Sequence, residues 1–369
     1  MVSGWRVVLV AVTVASVASG CLRAQADAVD HRIGYAVDPV FLAGNPAYVD
    51  ALVADANIVT VENHLKWGLV HPGPDTYDFS VADQIVDFAA ANDMEVRGHV
   101  LVWHRQLPAW VTQGEWTREE LIDVMRDHIH TVVGHYRDNH PGVVVHWDVV
   151  NEAFLPDGSR RPTIFQQVIG DDYLELAFRF AREADPDARL YYNDFYAHGI
   201  VVGDAIVNGL PVGPGANSVR TDCADVPKCV ATRAMVEQFQ VDGIPIDGVG
   251  FQGHIFGTDV TDYAEFASWT APLGIDWALT EVDVSLVAGT DTAANRAAQA
   301  AAFRSMIEDC LDSPNCDTTI MWSVGDDDSW IPGETGGLLD HGSLRQPGYG
   351  PKLAYYEVWE ALYEAARID

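Results

Sequence analysis

Eight short apolar runs, separated by stretches of helical periodicity, restrict what this 369-residue chain can fold into. The runs lie near Ile33–Val37, Ile58–Val61, Glu95–Val102, Val143–Val149, Arg189–Tyr192, Gly248–Gln252, Asp276–Thr280 and Thr318–Ser323. Among and after them, Val81–Ala91, Glu119–Arg137, Tyr173–Ala184, Arg296–Cys310 and Tyr355–Ala366 carry apolar residues at i, i+3 and i+4, the spacing of one buried helix face. Regular strand–helix alternation predicts a parallel sheet, because parallel neighbours need a crossover between them. Eight such units predict an α/β fold, a closed (β/α)8 TIM barrel forming a single catalytic domain. No Gly-x-Gly-x-x-Gly follows an early run, which argues against a dinucleotide-binding sheet. Apolar residues make up 48% of the chain and no Ser/Gly/Pro-rich linker divides it, so residues 27–369 are expected to share one core.

Residues 1–26 read differently. Arg6 precedes an apolar run from Val7 to Val17, followed by small residues up to Cys21. This is the layout of an export signal and is too short to span a bilayer. Ala18-Ser19-Gly20-Cys21 resembles a bacterial lipobox, which would make Cys21 a lipidated N-terminus, although Leu is more usual at the position of Ala18. Ala24-Gln25-Ala26 offers an ordinary cleavage site instead. The expectation is a secreted or cell-surface protein, touching membrane only through such an anchor. The other four cysteines form two C-x5-C pairs, Cys223–Cys229 and Cys310–Cys316. In an exported chain these predict disulfides, since structural zinc usually shows shorter spacing or a nearby His. The net charge of −32 argues against nucleic acid as a partner and fits a solvated acidic surface.

The chemistry collects where the runs end. Trp147-Asp148-Val149-Val150-Asn151-Glu152 and Leu279-Thr280-Glu281-Val282-Asp283 each bring a glutamate to the C-terminal edge of a strand, the edge at which parallel barrels carry their active sites. Two carboxylates there are the minimum for splitting a glycosidic bond, one donating a proton and the other acting at the anomeric carbon. A proton donor needs a raised pKa, and a second carboxylate nearby is expected to raise that of Glu152. Asn151 is suited to a sugar 2-hydroxyl. Glu281 and Asp283 are two apart, so a continuing strand points both the same way. His254, at the end of the sixth run, could then bond Glu281 through one ring nitrogen and Asp283 through the other.

Sugars present hydroxyl edges and apolar faces. Glu62, Asn63, Lys66, His99 and Gln252 suit the edges; Trp103, Trp322 and Trp330 suit the faces. A single Trp is more often core, but three at strand ends on one rim favour a cleft. The thirteen histidines include no His-Glu-x-x-His and no close His-x-His pair on a strand, so no catalytic metal or other cofactor is expected at His99, His104 or His254.

These segments resemble glycoside hydrolase family 10, the retaining endo-β-1,4-xylanases. Glu62–Trp67, Gly98–Trp110, Trp147–Glu152, Leu190–Asp194, Gly248–Ile255, Thr280–Val284 and Trp322–Trp330 come in the family's order and spacing, over essentially the whole mature chain. The resemblance implies Glu152 as acid/base and Glu281 as nucleophile, with Asn151, His99, Gln252 and His254 around the cleaved sugar. It implies Glu62, Asn63, Lys66 and Trp103 on the glycone side, capped by Trp322 and Trp330, and xylan with its oligosaccharides as substrate. Cys310–Cys316 also matches a disulfide common in that family. Leu65 stands where Met is frequent. Asn193-Asp194-Phe195-Tyr196 stands where Asn-Asp-Tyr-Asn is more usual, and Ser323 where Gly is common; both are expected on the rim. The stretch from about 198 to 228 is roughly twenty residues longer than such a loop normally needs, and is expected to reshape the aglycone side. Two rivals stay open at this stage, a retaining β-glucanase on the same barrel and an inactive glycan-binding protein.

Overall fold

The structure, a computed structural model, describes residues 21–195, 206–207, 210–211, 223–256, 262–285, 292–331 and 343–367. Most of the long stretch after the fifth strand, including Tyr196, therefore lies outside the described residues, as do residues 1–20. Eight strands form the barrel: β1 (Arg32–Val37), β2 (Ile58–Val61), β3 (Glu95–Val102), β4 (Val144–Asn151), β5 (Arg189–Asp194), β6 (Gly248–Phe251), β7 (Asp276–Ser285) and β8 (Cys316–Met321). Neighbours pair in parallel, and β8 closes on β1 from Arg32↔Thr318 to Tyr35↔Met321. Around them run α1 (Leu22–Asp27), α2 (Pro46–Asp55), α3 (Ser80–Ala91), α4 (Arg118–Asn139), α5 (Tyr173–Ala184), α6 (Pro227–Asp242), α7 (Ala293–Leu311) and α8 (Leu353–Ala365).

Several strand ends differ from the sequence reading, among them that of β5, which runs on past Tyr192 to Asp194. β4 extends to Asn151, and β7 runs on past Thr280 to Ser285. The extension of β7 has a partner: a short strand, His254–Phe256, pairs with Asp283, Val284 and Ser285. Glu281 and Asp283 thus both belong to regular strand and share a face. β8 is shorter than expected at its far end, stopping at Met321 before Trp322 and Ser323. The periodicity of α6 was invisible because its buried face mixes Lys228, Cys229 and Thr232 with Met235, Val236 and Phe239. Both expected disulfides are present. Cys310–Cys316 ties the end of α7 to the start of β8, and Cys223–Cys229 anchors the first turn of α6.

The closure between the chain's two ends rests on one buried carboxylate. Asp55, wholly buried at the end of α2, accepts bonds from Arg345 Nε (2.9 Å) and Nη2 (2.5 Å), Tyr355 Oη (2.9 Å) and Tyr35 Oη (3.3 Å). Removing one partner of a buried ion pair strands the other charge. Asp55→Ala is therefore expected to lower unfolding free energy by about 3–5 kcal/mol, measurable as a reduced denaturant midpoint.

His31 illustrates a second vulnerability. Burial pushes its ring down to about 4, outweighing the opposing pull of Asp317, so the folded state holds it neutral. The unfolded chain binds that proton near 6.5. Stability from this group is complete above 6.5 and declines as pH falls from 6.5 towards about 4. His31→Gln, which keeps a partner for Thr319 Oγ1, should flatten the acid side of the stability–pH curve.

Candidate active site

β4 delivers Asn151 to the barrel rim and Glu152 follows at once with φ of 58°, in the left-handed region that a glutamate rarely occupies. The turn is held on three sides. Glu152 N–H donates to Asn193 O (2.9 Å), Arg161 Nε donates to Glu152 O (2.7 Å), and Ala153 N–H donates to the Tyr192 hydroxyl (3.0 Å). The Glu152 side chain turns into the cleft, where Oε1 accepts from Gln252 Nε2 (3.2 Å) and Oε2 lies 3.7 Å from His104 Nδ1.

The sequence reading expected the Glu152 carboxyl to be raised. The structure places it below the ordinary glutamate value. Burial does push it up, but His104 and the Lys228 ammonium pull it down further. Burial in turn holds the His104 ring neutral above about 4, while the Lys228 ammonium that also acts on Glu152 is itself paired with Asp194.

Glu281 faces it from β7. Its Oε1 accepts from Asn193 Nδ2 (2.7 Å) and its Oε2 meets His254 Nε2 (3.2 Å). The other ring nitrogen, Nδ1, lies 2.8 Å from Asp283 Oδ2, which also accepts from Trp330 Nε1 (2.9 Å). Burial alone would lower the His254 pKa, yet Asp283 and Glu281 together lift it to about 10, so the ring is an imidazolium at neutral pH. Each Glu281 oxygen therefore has a donor. Gly250 is required here: a Cβ would lie 2.3 Å from Asn193 Oδ1 and 2.8 Å from Thr280 Cγ2.

Side-chain amides link the two glutamates. Gln252 Nε2 bonds both Glu152 Oε1 and Asn151 Oδ1 (3.2 Å each), and Asn193 Nδ2 bonds both Asn151 Oδ1 (3.2 Å) and Glu281 Oε1 (2.7 Å). With its carbonyl occupied by two donors, Asn151 can offer only its N–H2 to a ligand.

The β1–β3 side of the cleft is polar at the floor and aromatic at the walls. Lys66 Nζ donates to Asn63 Oδ1 (2.9 Å), and Asn63 Nδ2 donates to Glu62 Oε1 (3.0 Å). The ammonium lies 5.1 Å from the Trp103 ring and 5.9 Å from that of Trp322. Burial lowers the Lys66 pKa against the pull of Glu281, Glu62 and Glu152; burial raises that of Glu62. His99 lines the same wall, its Nδ1 held by Asp148 Oδ2 at 2.9 Å. One cleft is thus lined by every cleft residue named from the sequence except Asp283, which stands behind His254.

Comparison with known proteins agrees with this geometry. Residues 21–208 and 217–361 match the family model of glycosyl hydrolase family 10. The chain is 35% identical over 347 residues to endo-1,4-beta-xylanase B of Thermotoga neapolitana, spanning 93% of this chain and 92% of that one. The chain belongs to glycosyl hydrolase family 10. Its fold superposes on native xylanase 10B of Thermotoga maritima with a TM-score of 0.83 at 35% identity, covering 95% of this chain and 100% of that one. Xylanase 10B of Thermotoga petrophila RKU-1, solved in complex with xylobiose, gives 0.82 at 35% identity, with 94% and 98% covered. This family 10 chain is accordingly a glycoside hydrolase on a (β/α)8 barrel.

Several residues of the family 10 site escaped sequence reasoning. Asn193 and Asp194 were expected on the rim; both are wholly buried, and Asn193 bridges β4 and β7 through Asn151 and Glu281. Ser323 is likewise buried, bonded to Ser343. Phe195 and Arg161 line the cleft, and Asp148 with Arg97 fixes His99 from inside the barrel. A polar residue in the last two positions of a strand was the available signal for Asn193. Among the described residues, one group has metal-ligand geometry: Asp83, His135 and His140, on α3 and the C-terminal end of α4. It is not part of the cleft, and its histidines already pair with Asp83 and Asp87.

Proposed function

We propose that this chain is a retaining endo-β-1,4-xylanase, with Glu281 as nucleophile and Glu152 as acid/base. The observation that carries this reading is the pairing of Glu281, bonded by the His254 imidazolium and the Asn193 amide, with a second carboxylate, Glu152, across the same cleft. Family 10 membership and the xylobiose held by a relative with 35% identity support the substrate. A Glu281 oxygen attacks the anomeric carbon while Glu152 gives its proton to the glycosidic oxygen, so the C–O bond breaks and the leaving chain departs as an alcohol. A substrate filling the cleft strips water from both carboxylates. That desolvation pushes the Glu152 carboxyl up against the pull of His104 and Lys228, so that it carries the proton. Glu152, then ionised, takes a proton from water whose oxygen displaces Glu281 and frees the sugar with net retention. This route needs carboxyl oxygens about 5–5.5 Å apart.

The test is product analysis on plain xylan beside mixed-linkage glucan, with the anomeric configuration of the first product read by NMR. Xylo-oligosaccharides of β configuration from xylan alone are expected. Comparable glucan cleavage would shift the reading to a broader β-glucanase, and α products would overturn retention.

We further propose that export ends with processing immediately before Cys21, leaving that residue to carry lipid. Leu22 and Ala26 of α1 are wholly buried, and Arg23 binds the carbonyls of Asn92 (2.8 Å) and Asp93 (2.9 Å). Cleavage after Ala26 would discard this plug. Mass spectrometry of the mature N-terminus decides: a chain starting at Asp27 would refute the anchor.

A further inference from the structure

A buried lysine that the two-carboxylate mechanism does not use lies close behind the acid/base. Lys228, in the first turn of α6, has no solvent exposure, and its Nζ is 2.5 Å from Oδ1 of the equally buried Asp194 at the end of β5. The ammonium also packs 3.7 Å from the centre of the Phe195 ring, which lines the cleft. Asp194 Oδ2 accepts from the Tyr192 hydroxyl, and that hydroxyl accepts from Ala153 N–H (3.0 Å), the peptide adjoining Glu152. An unbroken line of contacts therefore runs from α6 to the left-handed turn that aims the acid/base.

Stability does not explain this line. A buried ion pair costs about as much in lost hydration as it returns, and apolar residues of the same volume often do as well. What such a pair supplies is a fixed place for polar atoms. The start of α6 is built to hold one: the Cys223–Cys229 bridge closes over it, and Gly158 (φ +83°), in the loop after Glu152, comes so near that a Cβ would lie 2.7 Å from Pro227 O. A strained backbone persists only where its surroundings over-determine it. Glu152 has Arg161 and Asn193 on two sides, and Tyr192 supplies the third.

We propose that Lys228, Asp194 and Tyr192 are positioning residues for Glu152, which hold its carboxyl in line with the departing glycosidic oxygen. This rests on the xylanase reading above. The lysine fixes Asp194, Asp194 fixes the Tyr192 hydroxyl, and the hydroxyl fixes the peptide plane after Glu152. Its loss leaves the cleft and the nucleophile in place but misaims the proton.

The test compares kcat/KM on xylotetraose, whose leaving sugar needs that proton, with kcat/KM on 4-nitrophenyl xylobioside, whose phenolate departs without it. Tyr192→Phe removes one hydroxyl; Lys228→Met/Asp194→Asn removes both charges of the buried pair. In each variant kcat/KM on xylotetraose should fall roughly tenfold or more, while the aryl substrate stays within about threefold of wild type. Thermal midpoints confirm that both variants are folded; should the double variant fail to fold, Tyr192→Phe decides alone. Parallel losses on the two substrates would reduce the three residues to scaffold and overturn the proposal. So would unchanged rates on both. Wild type inactive on xylotetraose would instead overturn the xylanase reading, a result visible before any variant is made.

Discussion

Glu281→Gln should reduce hydrolysis of xylan on the order of 10⁵-fold, about 7 kcal/mol of transition-state stabilisation. The amide is nearly the same size and can still accept from Asn193, so the cleft should stay assembled. It lacks the charge that attacks the anomeric carbon and that the buried imidazolium of His254 compensates. Isothermal titration with xylotetraose should show binding within about tenfold of wild type, because the lost interaction belongs to the transition state. Loss of binding in proportion to rate would mean that the residue holds substrate rather than reacting with it. Turnover within tenfold of wild type would remove Glu281 from the nucleophile's role.

Glu152→Ala should divide the reaction in two. With no proton donor, xylo-oligosaccharides should react on the order of 10³–10⁴-fold more slowly, the usual scale of acid–base assistance. An aryl xylobioside with a nitrophenolate leaving group should still form the covalent intermediate and release a burst of phenolate equal to the enzyme present. Hydrolysis of that intermediate then stalls for want of a base. Azide, which needs no base and fits the space left by the carboxylate, should restore turnover and yield the β-xylobiosyl azide. Absence of both burst and azide product would sink the double-displacement assignment. An α azide would mean a single direct displacement, as in an inverting enzyme or one whose nucleophile was the residue removed.

Much of this was legible in the sequence because parallel barrels give strand ends a fixed meaning. Glu152, Glu281 and His254 each follow or close an apolar run, and the run alone fixes the edge they occupy. What the sequence concealed depends on contacts between strands rather than along them. Asn193 read as a rim residue because its side-chain partners, Asn151, Thr280 and Glu281, are 42, 87 and 88 positions away. The direction of the Glu152 shift was misjudged for the same reason: the expected neighbour was the other carboxylate, whereas His104 and Lys228 pull it down, and Lys228 arrives from a helix whose mixed inner face hid it. The added length of β7 was equally unreadable, since it exists only where residues 254–256 pair with it.

The link between the two glutamates consists of Gln252, Asn151 and Asn193, and none of these side chains gains or loses a proton over the range in which enzymes work. On the double-displacement reading, charge moves from one carboxyl to the other and back in every catalytic cycle. The ruler that spaces them is blind to that traffic, so acidity can change which carboxyl is charged without changing how far apart they stand. Across the pH profile the enzyme should gain or lose active molecules, while each active molecule keeps the same geometry.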